Sequence, residues 1–285
     1  MMGCGPVATA GPGCSPTSSG IAFPDDLRES SGVAVSLRHP GTFWTHNDGG
    51  SDLYAVDGEG SITARFRLAD RLRDWEDLAV STCPEDGSCL YLADLRDNYE
   101  ERAAGNIQLH RVPEPDPTGA GTEVDSEGRL TMESFPIRLP DGPRDIEALF
   151  VRPGERVFFV TKGRNHPVTV YRYPPPLRGD TVTLEQVQQL TTRARILPRQ
   201  VTGGASDPQG AVLALRTYEA LQFYRMDSDT LAAIDGALVN LRTLQEGQGE
   251  AVGIGLDGLV ALTSEGGPLG GPGSMTLMHC DLGRL

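Results

Sequence analysis

Gln222-Phe-Tyr-Arg-Met-Asp227 is one of five segments that lie over one another along the chain. The others are Asp52-Leu-Tyr-Ala-Val-Asp57, Gln108-Leu-His-Arg-Val-Pro113, Thr169-Val-Tyr-Arg-Tyr-Pro174 and Thr276-Leu-Met-His-Cys-Asp281. In each the second and fifth positions are apolar, the third is usually aromatic, and an Asp or Pro closes the run. Short apolar runs of this kind, ended by turn formers, read as strands. Because they recur, they have to be explained together, as one supersecondary unit used five times.

Working upstream from each segment, a hairpin precedes it. The first strand starts near Ser31, Glu76, Glu147, Thr202 or Glu250, and these starts lie 45, 71, 55 and 48 residues apart. A Pro-Gly or Asp-Gly turn follows, as in Arg38-His-Pro-Gly41 or Leu256-Asp-Gly258, pairs that suit tight hairpins. The second strand then ends at Trp44-Thr-His-Asn-Asp48, Leu92-Ala-Asp94, Val160-Thr-Lys162, Leu215-Arg-Thr217 or Leu262-Thr-Ser-Glu265. A more variable fourth strand comes after the third, for example Ile62-Thr-Ala-Arg-Phe-Arg-Leu68. Four antiparallel strands repeated five times make an all-β fold, a five-bladed β-propeller. The last unit runs out after three strands, so Ile21-Ala-Phe-Pro24 is expected to supply its fourth. That N-terminal strand would close the ring and remove a free sheet edge. The domain is expected over residues 21–285, behind a disordered leader, residues 1–20, rich in Gly, Pro, Ser, Thr and Ala.

The chain has 285 residues with a formal net charge of −14. That acidity argues against a nucleic-acid partner, which needs clustered Lys and Arg. No apolar run is long enough for a transmembrane helix, and a monomer is expected. Of the 25 basic residues only Lys162 is a lysine. Cys83 and Cys89 bracket the turn sequence Pro-Glu-Asp-Gly-Ser, so they either bridge a hairpin or remain two free thiols. The leader lacks the basic start and apolar run of a signal peptide. Gly3-Cys4 is similar to the end of a bacterial lipoprotein cleavage site, which makes an extracellular or periplasmic location, lipid-anchored near Cys4, the expectation.

Several motifs carry less than they suggest. Gly253-Ile-Gly-Leu-Asp-Gly258 matches the dinucleotide pattern G-x-G-x-x-G but spans a hairpin turn, without the helix whose N-terminus would cradle phosphate. Cys280 aligns with core positions of the other repeats and reads as a buried apolar thiol. His110 and His279 lie inside third strands without metal-ligand spacing. Trp44 and Trp75 lie close to strands and read as core.

In an antiparallel hairpin the start of the first strand lies beside the end of the second. The repeat therefore brings two sets of residues to one rim around the central channel. Glu76, Glu147 and Glu250, flanked by Asp74, Asp77 and Asp145, form the first. The second is His46, Asn47, Asp48, Asp94, Lys162, Arg216 and Glu265. Converging carboxylates repel unless a cation or basic residues compensate. Glu76, Glu147, Glu250 and Asp94 are accordingly candidate Ca²⁺ ligands. Lys162 and Arg216, with His46, Asp48 and Glu265, are candidates to hold a small or anionic ligand. A purely structural rim of strand-end pairs remains open beside that reading.

The ordered series Glu29-Ser-Ser-Gly32, His46-Asn-Asp-Gly49, Asp74-Trp-Glu-Asp-Leu-Ala79, Asp145-Ile-Glu-Ala-Leu149, Gly249-Glu-Ala251 and Thr263-Ser-Glu-Gly266 resembles a family of largely uncharacterised, often exported bacterial β-propeller proteins. More distantly the chain is similar to phytase-type propellers, in which acidic residues bind Ca²⁺ and Lys and Arg hold phosphate; only residue types carry over. The resemblance implies an exported propeller, and the carboxylate ring beside Lys162 and Arg216 makes phosphoester or ester hydrolysis one expectation. Non-catalytic recognition of a glycan or protein across the rim loops is the other.

Overall fold

Inner strands buried on both faces, middle strands buried, and outer strands half exposed are what five radiating sheets require. The computed structural model describes residues 13–72, 74–83, 87–95, 97–102, 107–268 and 270–284. Its first strand, β1 (Ser15–Ala22), belongs to the last blade. Blade one is β2 (Ser30–Val35), β3 (Phe43–Asn47), β4 (Gly50–Val56) and β5 (Ile62–Leu72). Blade two is β6 (Trp75–Ser81), β7 (Cys89–Asp94), β8 (Ile107–Pro113) and β9 (Glu133–Arg138). Blade three is β10 (Ile146–Arg152), β11 (Arg156–Thr161), β12 (Thr169–Arg172) and β14 (Glu185–Gln189), with a short β13 (Val182–Thr183) before its last strand. Blade four is β15 (Val201–Ser206), β16 (Val212–Thr217), β17 (Ala220–Asp227) and β18 (Thr230–Asn240). Blade five is β19 (Gln248–Ile254), β20 (Leu259–Glu265), β21 (Ser274–His279) and β1. Every blade is an antiparallel meander; β13 alone runs parallel, on the edge of β9 in the neighbouring blade. The chain is thus a five-bladed β-propeller of four-stranded blades, with an N-terminal strand closing the ring.

The closing strand is longer than expected. Pairing runs from Ser15↔His279 to Ala22↔Ser274, so residues 15–20 are strand rather than leader. The unpaired edge of β21 explains this, since its backbone groups need partners. Cys14 and Cys280 form a disulfide at the end of this strand pair, which corrects the reading of Cys280 as a free thiol. Equivalence with core positions identified the burial of Cys280 but could not identify a partner 266 residues away. Cys83 and Cys89 are also bridged. Two disulfides are compatible with an exported protein. The expected lipid site near Cys4 and the turn residues 84–86 lie outside the described residues. Among the described residues no helix is long and apolar enough to cross a membrane.

Apolar side chains fill the spaces between neighbouring blades. Tyr91, Phe135, Phe159 and Tyr171 share one cluster between blades two and three, and Trp44 and Trp75 share another between blades one and two. Both tryptophans are fully buried, as core residues should be. At the axis, β2, β6, β10, β15 and β19 pack directly against one another. A Cβ on Gly203 would sit 2.7 Å from Glu250 O, and one on Gly253 would sit 2.9 Å from Val33 O, so both positions require glycine for close approach. Asp77 plugs the centre: its carboxylate accepts backbone N–H groups from Leu78 (2.9 Å), Leu149 (2.9 Å) and Gly204 (3.1 Å), linking three inner strands. Gly253–Gly258 covers the end of β19 and the turn into β20, as a hairpin and not a strand-to-helix crossover.

Candidate site at the channel mouth

The five inner strands share a device that the sequence pattern did not reveal. Each carries a β-bulge at the same place, between Ser30 and Gly32, Trp75 and Asp77, Ile146 and Ala148, Val201 and Gly203, and Gly249 and Ala251. A bulge leaves one residue out of the ladder and re-aims its side chain. The residues left out are Ser31, Glu76, Glu147, Thr202 and Glu250, which are all buried. They form one ring of equivalent positions at the end of the channel where the second strands finish.

Around blades three, four and five this ring becomes a compact polar cluster. Lys162, just after β11, places Nζ 2.6 Å from Glu147 Oε1, a buried ion pair. In blade five, Gln248 Nε2 donates to Glu250 Oε1 at 2.5 Å and to Glu265 Oε2 at 3.0 Å, so one amide holds two carboxyl groups side by side. Ser31 Oγ donates to Glu265 Oε1 at 3.3 Å across the seam with blade one. Burial pushes the Glu250 carboxyl up to about 8, reinforced by the charges of Glu147 and Glu265 and opposed by Gln248 and Lys162. Tyr218, just past β16, lies in the same field. Burial raises its phenol, Glu250 and Glu147 add to the rise, and Lys162 opposes it. Asp145 sits behind the pair, with Arg164 Nη1 at 3.8 Å. Lys162 itself is held above the ordinary lysine range: burial lowers it, but the Glu147 charge outweighs that.

The other expected site residues go elsewhere. Arg216 is fully buried. Its Nη1 donates to Ala251 O (2.7 Å) and Thr263 O (2.9 Å), and its Nη2 pairs with Glu246, so it is a strut between blades four and five and not a ligand for an anion. His46 stacks on Trp75 with ring centroids 3.8 Å apart, and burial lowers it to about 4, leaving it neutral at physiological pH. Its Nδ1 lies 2.9 Å from Asn47 O, and Gly32 leaves the space its ring fills. Asp48 lies beside Glu29, whose carboxyl its charge raises, at the lip between blades one and two. Asp94 meets Arg102 at 3.1 Å, anchoring the 97–102 loop through a side chain from within that loop. Glu76 occupies the blade-two bulge. The carboxylates therefore do not gather into one set, and among the described residues no group of three or more His, Cys, Asp or Glu is placed to hold a metal ion.

The cluster the structure assembles is thus Glu147, Lys162, Glu250 and Glu265, with Gln248 and Tyr218 added. Gln248 lies two residues before Glu250 on β19, and its amide reaches the carboxyl of that bulged residue. Tyr218 stands in blade four where Lys162 stands in blade three, one residue past the second strand, and taking Arg216 as the counterpart of Lys162 passed it over.

No family model matches the chain, and no curated protein sequence matches it. Solved structures do. A glucose dehydrogenase superposes with a TM-score of 0.51 at 12% identity, covering 93% of this chain and 98% of that one. The pyrroloquinoline quinone-bound aldose sugar dehydrogenase of Streptomyces coelicolor gives 0.49 at 11%, covering 93% and 97%. A gluconolactonase of Xanthomonas campestris gives 0.46 at 15%, covering 88% and 72%. The likeness is one of fold.

Proposed function

We propose that the channel mouth binds a small, uncharged polar molecule and acts on it by proton transfer, with hydrolysis of a carboxylic ester as the reaction class. The observation that carries the reading is the pair Glu250 and Glu265, held side by side by Gln248 and next to the Glu147–Lys162 ion pair. A carboxyl raised to about 8 is protonated at neutral pH and can serve as a general acid. Its neighbour Glu265 would accept a proton from the attacking water. The water oxygen bonds to the ester carbon, the carbon–oxygen bond to the leaving group breaks, and the alcohol departs with the Glu250 proton. The proton on Glu265 returns to Glu250 to reset the site. Lys162, its charge balanced by Glu147, would steady negative charge developing on the carbonyl oxygen. An uncharged substrate suits this mouth better than a phosphoester, because Arg216 is committed to backbone carbonyls and Lys162 to Glu147.

Hydrolysis of ethyl acetate, whose alkoxide leaving group needs a proton, tests this by titration of the acid released. The wild type should exceed the buffer rate, with activity falling as pH rises through about 8, and Glu250→Gln should lose roughly a hundredfold. A wild-type rate equal to buffer, or an unimpaired Glu250→Gln, would sink the proposal. Recognition of a glycan is a second reading, favoured by Tyr99, which stands 85% exposed on the 97–102 loop. Saturable glycan binding lost in Tyr99→Ala, without hydrolysis, would select it.

A further inference from the structure

A cleft of about 580 Å³ opens between blades three and four, away from the mouth cluster. Its cause lies in β18. Pairing with β17 jumps from Gln222↔Leu238 to Tyr224↔Ala233, so several residues around Ile234–Ala237 have no counterpart on β17. Gln222 Nε2 donates into this bulge, to Ile234 O and Ala237 O, and holds it open. A bulged strand bends locally, and Leu231, Ala233 and Leu238 of β18, on either side of the bulge, line the cleft. The outer edge stays stapled, because Gln188 bonds Leu231 through both its amide atoms.

The floor of the cleft is apolar, with Val168, Leu190, Leu215 and Leu231 among its lining residues. Its lip carries Arg195, Arg199 and one acid, Glu219, which is taken up by Arg199 and Arg242. Residues 191–200, which read Thr-Thr-Arg-Ala-Arg-Ile-Leu-Pro-Arg-Gln, carry three arginines and no acid in a chain of net charge −14. Arg195 and Arg199 line the cleft. Arg199 is shared with Glu219 at 3.4 Å. Among the described residues the Arg195 guanidinium has no ion-pair partner, and it is close enough to Tyr224 for its charge to oppose the burial that raises that phenol. Beside it, Ile196 and Leu197 stand 66% and 65% exposed.

We propose that this cleft is a second binding site, for a small amphipathic carboxylate whose apolar body lies on the Val168–Leu231 floor and whose head meets Arg195. The volume falls within the range of small-molecule pockets. A guanidinium at the edge of an apolar floor pairs with a carboxylate more strongly than it would in open water, since the floor excludes solvent on one side. The lone charge on Arg195 sets the ligand's charge, and the floor sets its apolar body. The site is independent of the proton-transfer reading of the mouth.

Calorimetric titration with decanoate, and in parallel with uncharged 1-decanol, tests it on the full chain. The wild type should bind decanoate saturably. Arg195→Glu should weaken decanoate at least tenfold while leaving 1-decanol within twofold. Ala233→Trp, which fills the cleft from β18, should weaken both at least tenfold. Circular dichroism melts verify that each variant folds, and Arg195→Gln serves as the milder charge removal. No saturable heat from the wild type at millimolar decanoate overturns the proposal. So does decanoate binding that Arg195→Glu and Ala233→Trp leave unchanged.

Discussion

Lys162 Nζ lies 2.6 Å from Glu147 Oε1, and the two side chains are 5% and 1% exposed. Burying two charges costs several kcal/mol each, and their attraction offsets this only while both are present. Removing one partner strands the other. Lys162→Met should therefore destabilise the fold by about 3–5 kcal/mol, while Lys162→Met combined with Glu147→Leu should recover most of the loss. Urea unfolding of the three proteins measures the coupling. If the single variant were no less stable than the double, the pair would not be the buried couple that the geometry describes.

Glu250 links stability to pH with a definite sign. Its carboxyl is raised from 4.5 to about 8, so the folded chain holds that proton more tightly than the unfolded chain. Between those values the unfolded state has ionised and the folded state has not. Stability from this group is full below about 4.5 and declines as pH rises towards 8, by on the order of a few kcal/mol. Asp77, also raised by burial, adds a slope of the same sign, so the readout must be a difference. Urea midpoints at pH 5 and pH 8 should converge for Glu250→Gln relative to wild type. Equal pH slopes in the two proteins would contradict the raised carboxyl.

The fold was legible because its repeat was written in strand ends. The five starts aligned by sequence, Ser31, Glu76, Glu147, Thr202 and Glu250, are the five bulge residues of the inner strands. Hydrophobic periodicity located them within a residue, yet it could not reveal the bulge, which is a matter of register. The site was only half legible for the same reason. Equivalent positions predicted that Lys162 and Arg216 would share a role. Register separates them: Thr161 pairs with Ile146 and Thr217 with Val201, so the counterpart of Lys162 is Tyr218, whereas Arg216, the counterpart of Val160, is directed at the carbonyls of Ala251 and Thr263 in the next blade. An offset of two residues at a strand end is a matter of register, which the alignment of short segments does not fix.

Calcium is tested by the same ring. Glu147 is already balanced by Lys162, and Asp94 by Arg102, so two of the four expected ligands have cations beside them. A ligand that binds only the folded state raises its melting midpoint by mass action. Midpoints in EDTA and in millimolar Ca²⁺ are expected to agree. A rise specific to Ca²⁺ and lost in Glu76→Gln would reverse this and put an ion at the blade-two bulge.

The two disulfides should contribute unequally, because they close loops of very different length. Cys14–Cys280 spans 266 residues and Cys83–Cys89 spans 6. On the chain-entropy account, the long loop contributes about 5 kcal/mol and the short one about 2 kcal/mol, through restriction of the unfolded chain. The long bridge also tethers β1 to β21, which closes the ring. Guanidinium unfolding of Cys14→Ser/Cys280→Ser and of Cys83→Ser/Cys89→Ser should therefore rank the first as the costlier loss. Hydrogen exchange adds a local reading: without the long bridge, amides of β21 such as Met275 and Leu277 should lose protection before those of β19. Equal midpoints for the two double variants, with β21 still protected, would show that strand pairing alone holds the ring shut.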